Sequence, residues 1–309
     1  VGGSVEYHYS ISLYVKSFDF TKSFTLPFGA YDFSNGPLTE NRAYGALTPS
    51  NVEQGIDFMQ EYKVDVPFAD GGVVDIVGPT YTAWGDFIDW KNRWKETSVD
   101  PNYYYIGLLV EDAIEYESDK YYDMGTPEFD AEIAEWIGEW EAVLASEGIS
   151  QDQFVLHLVG EPTDESQDER LFNWAKAIQA TNTEIKVISE NTRSDPYDIT
   201  PEFNWYNYID IFMTEFKDIE VKNLLDEYQG DILVNYPEIE QMWFYEAHGS
   251  TRVLDPFTYY LARSWFEYAY GATGSVFWAF GTNGHEGEDE PQLNDYSALG
   301  QMYTPVYFD

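Results

Sequence analysis

The stretch Phe154-Val-Leu-His-Leu-Val-Gly-Glu161-Pro162 carries the strongest indication of how this chain folds. A nearly continuous apolar run of this kind is typical of a strand that is buried on both faces in a parallel α/β sheet. The run leads to a carboxylate at Glu161, and Pro162 then ends the strand. Barrel enzymes carry their chemistry at the carboxyl ends of such strands. Glu161 is therefore the first candidate for a functional residue.

Similar apolar segments recur along the chain and alternate with amphipathic helical segments. The predicted strands span residues 24–31, 64–68, 103–111, 154–161, 185–189, 208–213, 241–246 and 275–280, with an additional strand at 73–77. Helical periodicity predicts helices at 49–62, 84–94, 127–147, 165–180, 221–228 and 257–270. Eight strands that alternate with helices over about 285 residues predict a (β/α)8 TIM barrel of the α/β class.

The barrel is expected to occupy residues 24–309 as one catalytic-type domain. Residues 5–20 alternate roughly between polar and apolar positions, which indicates that residues 1–23 form a connector strand. This strand could be the end of a missing upstream domain. Because the chain begins at Val1 and not at Met, we expect a processed or truncated protein.

Acidic residues dominate the charge of the chain, with 56 Asp and Glu against 16 Lys and Arg and a formal net charge of −40. Nucleic acids and anionic membranes are disfavoured as partners, because binding to phosphate needs a basic surface. No apolar run reaches the about 18 residues that a membrane helix needs, so we expect no membrane insertion. The acidic surface favours an extracellular or cell-surface location.

The chain shows no pattern for a cofactor or a metal. It has no cysteine, which excludes disulfides and thiolate chemistry. Dinucleotide, P-loop, His-Glu-x-x-His and calcium-loop motifs are missing from the sequence, and so is the Gly-x-Ser-x-Gly elbow of serine hydrolases. The acid-rich residues 284–290 are interpreted as a solvated loop. We predict no cofactor and no metal site.

A second carboxylate, Glu246, ends the predicted seventh strand as Glu161 ends the fourth. The carboxyl ends of all barrel strands lie at one face, so these two residues can meet over one pocket. Paired carboxylates are what glycoside hydrolysis needs. A separation of about 5 Å predicts retention of configuration, and roughly 6.5–9.5 Å predicts inversion.

The chain resembles the clan A (β/α)8 glycoside hydrolases in three places: Gly160-Glu161-Pro162, Tyr245-Glu246 and Trp278. This resemblance implies that Glu161 is the acid/base, that Glu246 is the nucleophile of a retaining reaction, and that Trp278 is a platform for a sugar ring. Those enzymes carry Asn before the acid/base, to bond the sugar 2-hydroxyl, whereas this chain has Gly160.

A second resemblance covers more of the chain and points to the DUF4091 glycosidase-like barrels. Its motifs are Leu26-Pro27, Glu161-Pro162, Trp243-Phe-Tyr245, Ala262-Arg263-Ser-Trp265 and Val276-Phe-Trp278. Relatives of that group include the family 123 β-N-acetylgalactosaminidases, which use an adjacent Asp-Glu pair. Gly160 stands where that pair has its Asp. The two resemblances agree on the fold and on Glu161, and they imply different mechanisms.

Aromatic residues near strand ends are candidates for sugar stacking, because Tyr and Trp offer flat apolar faces. The candidates for substrate binding are Trp278, Tyr245, Tyr31 and Trp84, together with His248 beyond the seventh strand. His157, within the fourth strand, is expected to face the barrel interior and not to bind a ligand.

Two classes of function remain open from the sequence. The first is a glycoside hydrolase-like barrel that acts on a carbohydrate through Glu161 and Glu246. The second is a catalytically inactive barrel that serves as a carbohydrate-binding or self-assembling surface protein, which Gly160 and the aromatic richness permit. Fold does not decide between them. The separation of the two carboxyls, and whether an open cleft lies above them, would decide between the two classes.

Overall fold

The computed structural model describes residues 26–32, 34, 51–61, 64–70, 73, 84–95, 100–108, 110, 113–116, 120–191, 193, 198–215, 232–246 and 267–277. The strands in these ranges are β1 (Phe28–Ala30), β2 (Phe68–Asp70), β3 (Tyr104–Gly107), β4 (Ala113–Tyr116), β5 (Lys120–Asp123), β6 (Phe154–His157), β7 (Lys186–Glu190), β8 (Ile211–Glu215), β9 (Gln241–Glu246) and β10 (Gly274–Phe277). The helices are α1 (Val52–Glu61), α2 (Trp84–Lys95), α3 (Pro127–Glu147), α4 (Glu165–Gln179) and the single turn α5 (Leu233–Asn235). Short 3-10 helices span Gln151–Gln153, Pro201–Phe203 and Trp205–Tyr208.

Eight of these strands form one parallel sheet in the order β1-β10-β9-β8-β7-β6-β3-β2. The two ends of this order approach each other, since Gly29 of β1 forms a parallel bridge with Val66 just before β2. The backbone N–H groups of Asp65 and Val66 both donate to the Phe28 carbonyl, at 3.0 and 3.2 Å. The sheet therefore closes on itself, and the predicted (β/α)8 barrel is confirmed.

Alternation along the strands divides the apolar side chains into two cores. The first fills the barrel interior with Tyr31, Val66, Phe68, Tyr105, Val155, Ile188, Ile211, Met213, Trp243, Tyr245 and Val276. The second lies between the sheet and the helices and contains most of the large aromatic residues. All seven Trp residues whose side chains the structure describes are almost completely buried: Trp90, Trp94, Trp136, Trp140, Trp174, Trp205 and Trp243. Much of the aromatic richness therefore belongs to packing.

Helix α3 shows how local sequence sets an element. Thr126 caps its amino end by accepting a hydrogen bond from the Phe129 N–H at 3.3 Å, and Pro127 opens the first turn, where no N–H is needed. Gly148 ends the helix with φ 70°, a left-handed conformation that glycine adopts without steric cost. The prediction of a helix at 127–147 is confirmed.

Two details differ from the sequence-based expectations. Strand β6 ends at His157, so Glu161 lies in the following loop and not at the end of the strand. An antiparallel hairpin, β4–β5, follows β3 and was not predicted. The predicted connector at residues 1–23, the helix at 221–228 and all but Val73 of the predicted strand at 73–77 lie outside the described residues.

Candidate functional site

The loop after β6 places Glu161 at the carboxyl-end face of the barrel. Glu161 is exposed, and its backbone has φ 45°, in the left-handed region that residues with a Cβ rarely enter. Strained residues of this kind cluster at functional sites, where the surrounding structure holds them in place. Two contacts hold Glu161, one at its carboxylate and one at its backbone.

The carboxylate contact comes from Tyr245 of β9. The Tyr245 hydroxyl donates a hydrogen bond of 2.6 Å to Oε1 of Glu161. Tyr245 is buried in the barrel interior, and burial together with the negative charges of Glu190 and Glu161 raises its pKa well above the ordinary value. The phenol therefore stays protonated and remains a donor.

The backbone contact comes from Glu190, the last residue of β7. Oε1 of Glu190 accepts a hydrogen bond of 2.7 Å from the Glu161 N–H. The Glu190 side chain is buried, and it lies 3.4 Å from Nε2 of His157. Strand β7 pairs with β6, so the carboxylate reaches the loop from the neighbouring strand.

A chain of polar groups continues from Glu190 into the barrel interior. Nδ1 of His157 lies 2.9 Å from the Tyr105 hydroxyl, which lies 3.0 Å from the Tyr31 hydroxyl. Burial is the main cause that raises the pKa of both phenols, and the Glu190 charge adds to it. His157 lies within this chain and is buried, as the sequence predicted.

The strand-end logic that identified Glu161 would also have found two acids that were not predicted. Glu190 directly follows the predicted strand at residues 185–189, and Glu215 ends β8 after Ile-Phe-Met-Thr. Both side chains are buried near the carboxyl ends of their strands. The predicted strand before each acid was the available signal.

Glu246 is the last residue of β9 and pairs in register with Phe277 of β10. Its backbone position at the end of the seventh barrel strand agrees with the sequence, whereas its side chain lies outside the described residues. The pairing of Glu246 with Glu161, and the separation of the two carboxyls, stay predictions.

The remaining predicted binding residues have different outcomes. Tyr31 is buried in the barrel interior, with its ring centroid 4.4 Å from that of Phe68. Trp84 is the first residue of α2, and its side chain lies outside the described residues. His248 and Trp278 also lie outside them. Of the aromatic candidates, Tyr245 is the one whose contact with Glu161 is described.

An ion pair anchors the segment that follows Glu161 to α4 and to the segment after β7. The Arg193 guanidinium donates to both carboxylate oxygens of buried Asp168 in α4, at 2.9 and 3.1 Å. Nε of Arg193 also donates to the Pro162 carbonyl at 3.2 Å, next to Glu161. Trp205 and the Thr200 N–H donate to the same Asp168. We call this the Asp168–Arg193 clamp.

Asp32, just after β1, is fully buried on the same side of the barrel. Its carboxylate accepts hydrogen bonds of 2.8 Å from the backbone N–H groups of Phe68 and Ser34. Burial raises the pKa of Asp32 to about 7, and these hydrogen bonds oppose the shift. Asp32 joins β1 to β2 where the barrel closes.

The described residues contain no group of three or more His, Asp or Glu side chains that could hold a metal ion. Within the same ranges, no helix is long and apolar enough to cross a membrane. The site is therefore an exposed carboxylate, fixed at two points, above a buried carboxylate and a phenol. A carboxylate fixed in this way can exchange a proton with a ligand at the mouth of the barrel.

Three solved structures illustrate what the fold is similar to. An endo-1,4-β-D-mannanase from Thermotoga petrophila shares 11% identity, with 93% of this chain and 96% of that chain covered and a TM-score of 0.49. A glycoside hydrolase 5 lichenase from Caldicellulosiruptor shares 10% identity over 94% and 96%, with a TM-score of 0.46. A β-mannanase from Bacteroides ovatus shares 10% over 84% and 81%, with a TM-score of 0.45.

No model of a protein family matches the sequence, and no curated protein matches it. The barrel assignment rests on the strand order and its closure.

Proposed function

We propose that the barrel binds a carbohydrate at its carboxyl-end face and hydrolyses a glycosidic bond there. The observation that supports this most directly is the hydrogen bond from Tyr245 to Glu161. It ties the exposed acid of the β6 loop to the residue that precedes Glu246, so that the two chain segments with candidate carboxylates meet at one face. The resemblance to clan A and DUF4091 barrels is consistent with this proposal.

In the proposed reaction, protonated Glu161 gives its proton to the glycosidic oxygen while Glu246 attacks the anomeric carbon. The bond to the leaving sugar breaks, and a glycosyl ester forms on Glu246. Glu161, now ionised, takes a proton from water, and the resulting hydroxide releases the sugar with retention of configuration. Tyr245 keeps the Glu161 carboxylate oriented throughout.

The second candidate is a barrel that binds carbohydrate or assembles at a surface without catalysis. Gly160 favours it, since no side chain at this position can bond a substrate beside Glu161. An ideal Cβ built there would have ordinary contacts, with its nearest atom, Oε1 of Glu190, at 3.6 Å. The position is therefore not closed to a side chain by crowding. For either candidate, the acidic surface supports an extracellular or cell-surface location.

The test combines a glycan array with a panel of chromogenic glycosides, using purified protein. On any glycoside that is cleaved, Glu161→Gln is expected to lower kcat by about 10²–10⁴-fold, as for loss of an acid/base. Glu246→Gln is expected to abolish turnover while the protein stays folded. Glu184→Gln, an exposed acid before β7 at the opposite end of the barrel, is the matched control.

Unchanged hydrolysis by the Glu246 variant would contradict the mechanism. Buried Glu215 at the end of β8 is then the alternative nucleophile, which Glu215→Gln tests. If glycans bind but no glycoside is cleaved, the second candidate is correct.

A further inference from the structure

The left-handed backbone conformation of Glu161 needs a stabilising contact. A left-handed conformation costs a residue with a Cβ about 1–2 kcal/mol relative to a right-handed one. The preceding residue, Gly160, adds no side-chain contact to fix the loop, and Glu161 itself is exposed. The stabilising contact must therefore come from another part of the barrel.

The Glu190 carboxylate, buried at the end of β7, supplies this contact. It accepts the Glu161 N–H at 2.7 Å from a buried position, where a hydrogen bond to a charged acceptor is stronger than one between neutral groups. Without this acceptor, the Glu161 N–H would face the barrel interior unpaired.

A chain of polar groups in the barrel interior leads to the Glu190 carboxylate. Because the raised pKa values keep Tyr31 and Tyr105 protonated, Tyr31 can donate to Tyr105 and Tyr105 to Nδ1 of His157. Nε2 of His157 lies 3.4 Å from Oε1 of Glu190, so this chain of polar groups ends at the Glu190 carboxylate.

We infer that Glu190 is a positioning residue: its carboxylate, supported by the Tyr31–Tyr105–His157 chain, holds Glu161 in its left-handed conformation and so presents the Glu161 carboxylate to Tyr245 and to a ligand. The inference rests on the proposed function for its effect on turnover. Its effect on the Glu161 backbone is independent of any activity.

The direct readout is hydrogen exchange at the Glu161 amide, measured by NMR on the full chain. Glu190→Ala removes the acceptor and is expected to speed exchange at this amide by about tenfold or more. Glu190→Gln keeps a neutral acceptor of the same shape and is expected to restore most of the protection. The control is Ser189→Ala, a buried hydroxyl on the neighbouring residue with no hydrogen-bond partner among the described atoms.

Wild-type exchange at Glu161 in folded Glu190→Ala protein would overturn the inference. If Glu190→Ala does not fold, Glu190→Gln decides: the Glu161 amide resonance must move upfield, because its acceptor loses its charge, and an unchanged resonance would overturn the inference.

Turnover separates this inference from the proposed function. On a cleaved glycoside, Glu190→Ala is expected to lower kcat by about 10²-fold, the cost of a misplaced acid, with a smaller change in KM. If wild-type protein cleaves no glycoside, the proposed function fails, whereas altered amide exchange still supports the positioning role.

Discussion

At the scale of single residues, Glu161 combines features that stability alone would not favour. It is exposed, it carries a Cβ at φ 45°, and its carboxylate bonds a phenol that is otherwise buried. Glycine would adopt this backbone without strain. A Glu at such a position indicates that its carboxylate has a use, which is the reason for placing it at the centre of the site.

The strain at Glu161 can be measured by comparing two truncations. Glu161→Gly and Glu161→Ala both lose the carboxylate, and only the Ala variant keeps a Cβ in the left-handed conformation. We expect the Gly variant to be the more stable by about 1 kcal/mol, measured as the free energy of unfolding in urea.

The same pair of substitutions at Glu184, outside any left-handed turn, should give the opposite order, because glycine has the larger entropy in the unfolded chain. An Ala variant at position 161 that is as stable as the Gly variant would show that the backbone there is not strained.

At the scale of elements, the Asp168–Arg193 clamp holds the end of the β6 loop against α4 and the segment after β7. Asp168 is almost completely buried and accepts from the guanidinium, from Trp205 and from the Thr200 N–H. Arg193 extends the clamp to the Pro162 carbonyl. The loop that carries Glu161 is therefore held at two adjacent residues. Glu190 accepts the Glu161 N–H, and Arg193 donates to the Pro162 carbonyl.

Removal of the Asp168 carboxylate should strongly destabilise the protein. Asp168→Ala leaves the largely buried guanidinium unpaired, and breaking a buried ion pair in this way costs about 3–5 kcal/mol. Urea unfolding provides the measurement. Glu165→Ala removes an exposed acid from the same helix and should cost about 1 kcal/mol or less. Equal effects of the two substitutions would contradict the role of the clamp.

At the scale of the whole molecule, the pH dependence of stability comes from buried acids as well as from surface charge. Burial raises the pKa of Asp32 to about 7 and the pKa values of Asp65 and Asp210 to about 6. Between the ordinary Asp value of about 3.9 and these values, the folded protein binds more protons than the unfolded chain. Stability therefore falls as the pH rises through this window. The net charge of −40 adds repulsion in the same direction.

We expect the melting temperature to decrease from pH 4 to pH 8, with a loss in the free energy of unfolding of about 1.4 kcal/mol for each unit of raised pKa. Asp65→Asn should reduce this decrease, since an amide can still accept from the Phe28 N–H without ionising. Glu202→Gln, which removes one exposed charge, is the control. A melting temperature that rises from pH 5 to pH 8 would exclude this account.

Much of the fold could be read from local pattern. The limits of α3 and β9 were predicted correctly, because capping residues and strand periodicity act over a few neighbouring positions. The end of β6 was predicted wrongly, since an apolar run does not show where pairing with neighbouring strands stops. The β4–β5 hairpin was missed for a similar reason: two short strands are stable only through each other.

For the site, the amino-acid order alone was sufficient to establish that acids follow several strands and that barrel topology brings them to one face. It could not establish that Glu190 lies beneath Glu161, that Tyr245 bonds the Glu161 carboxylate, or that Glu161 is strained. These contacts join residues 29 and 84 positions apart, and they exist only once the strands pair in register and the barrel closes. Secondary structure is encoded locally, whereas the meeting of side chains across a closed sheet depends on the strand pairing and on the loops that follow each strand.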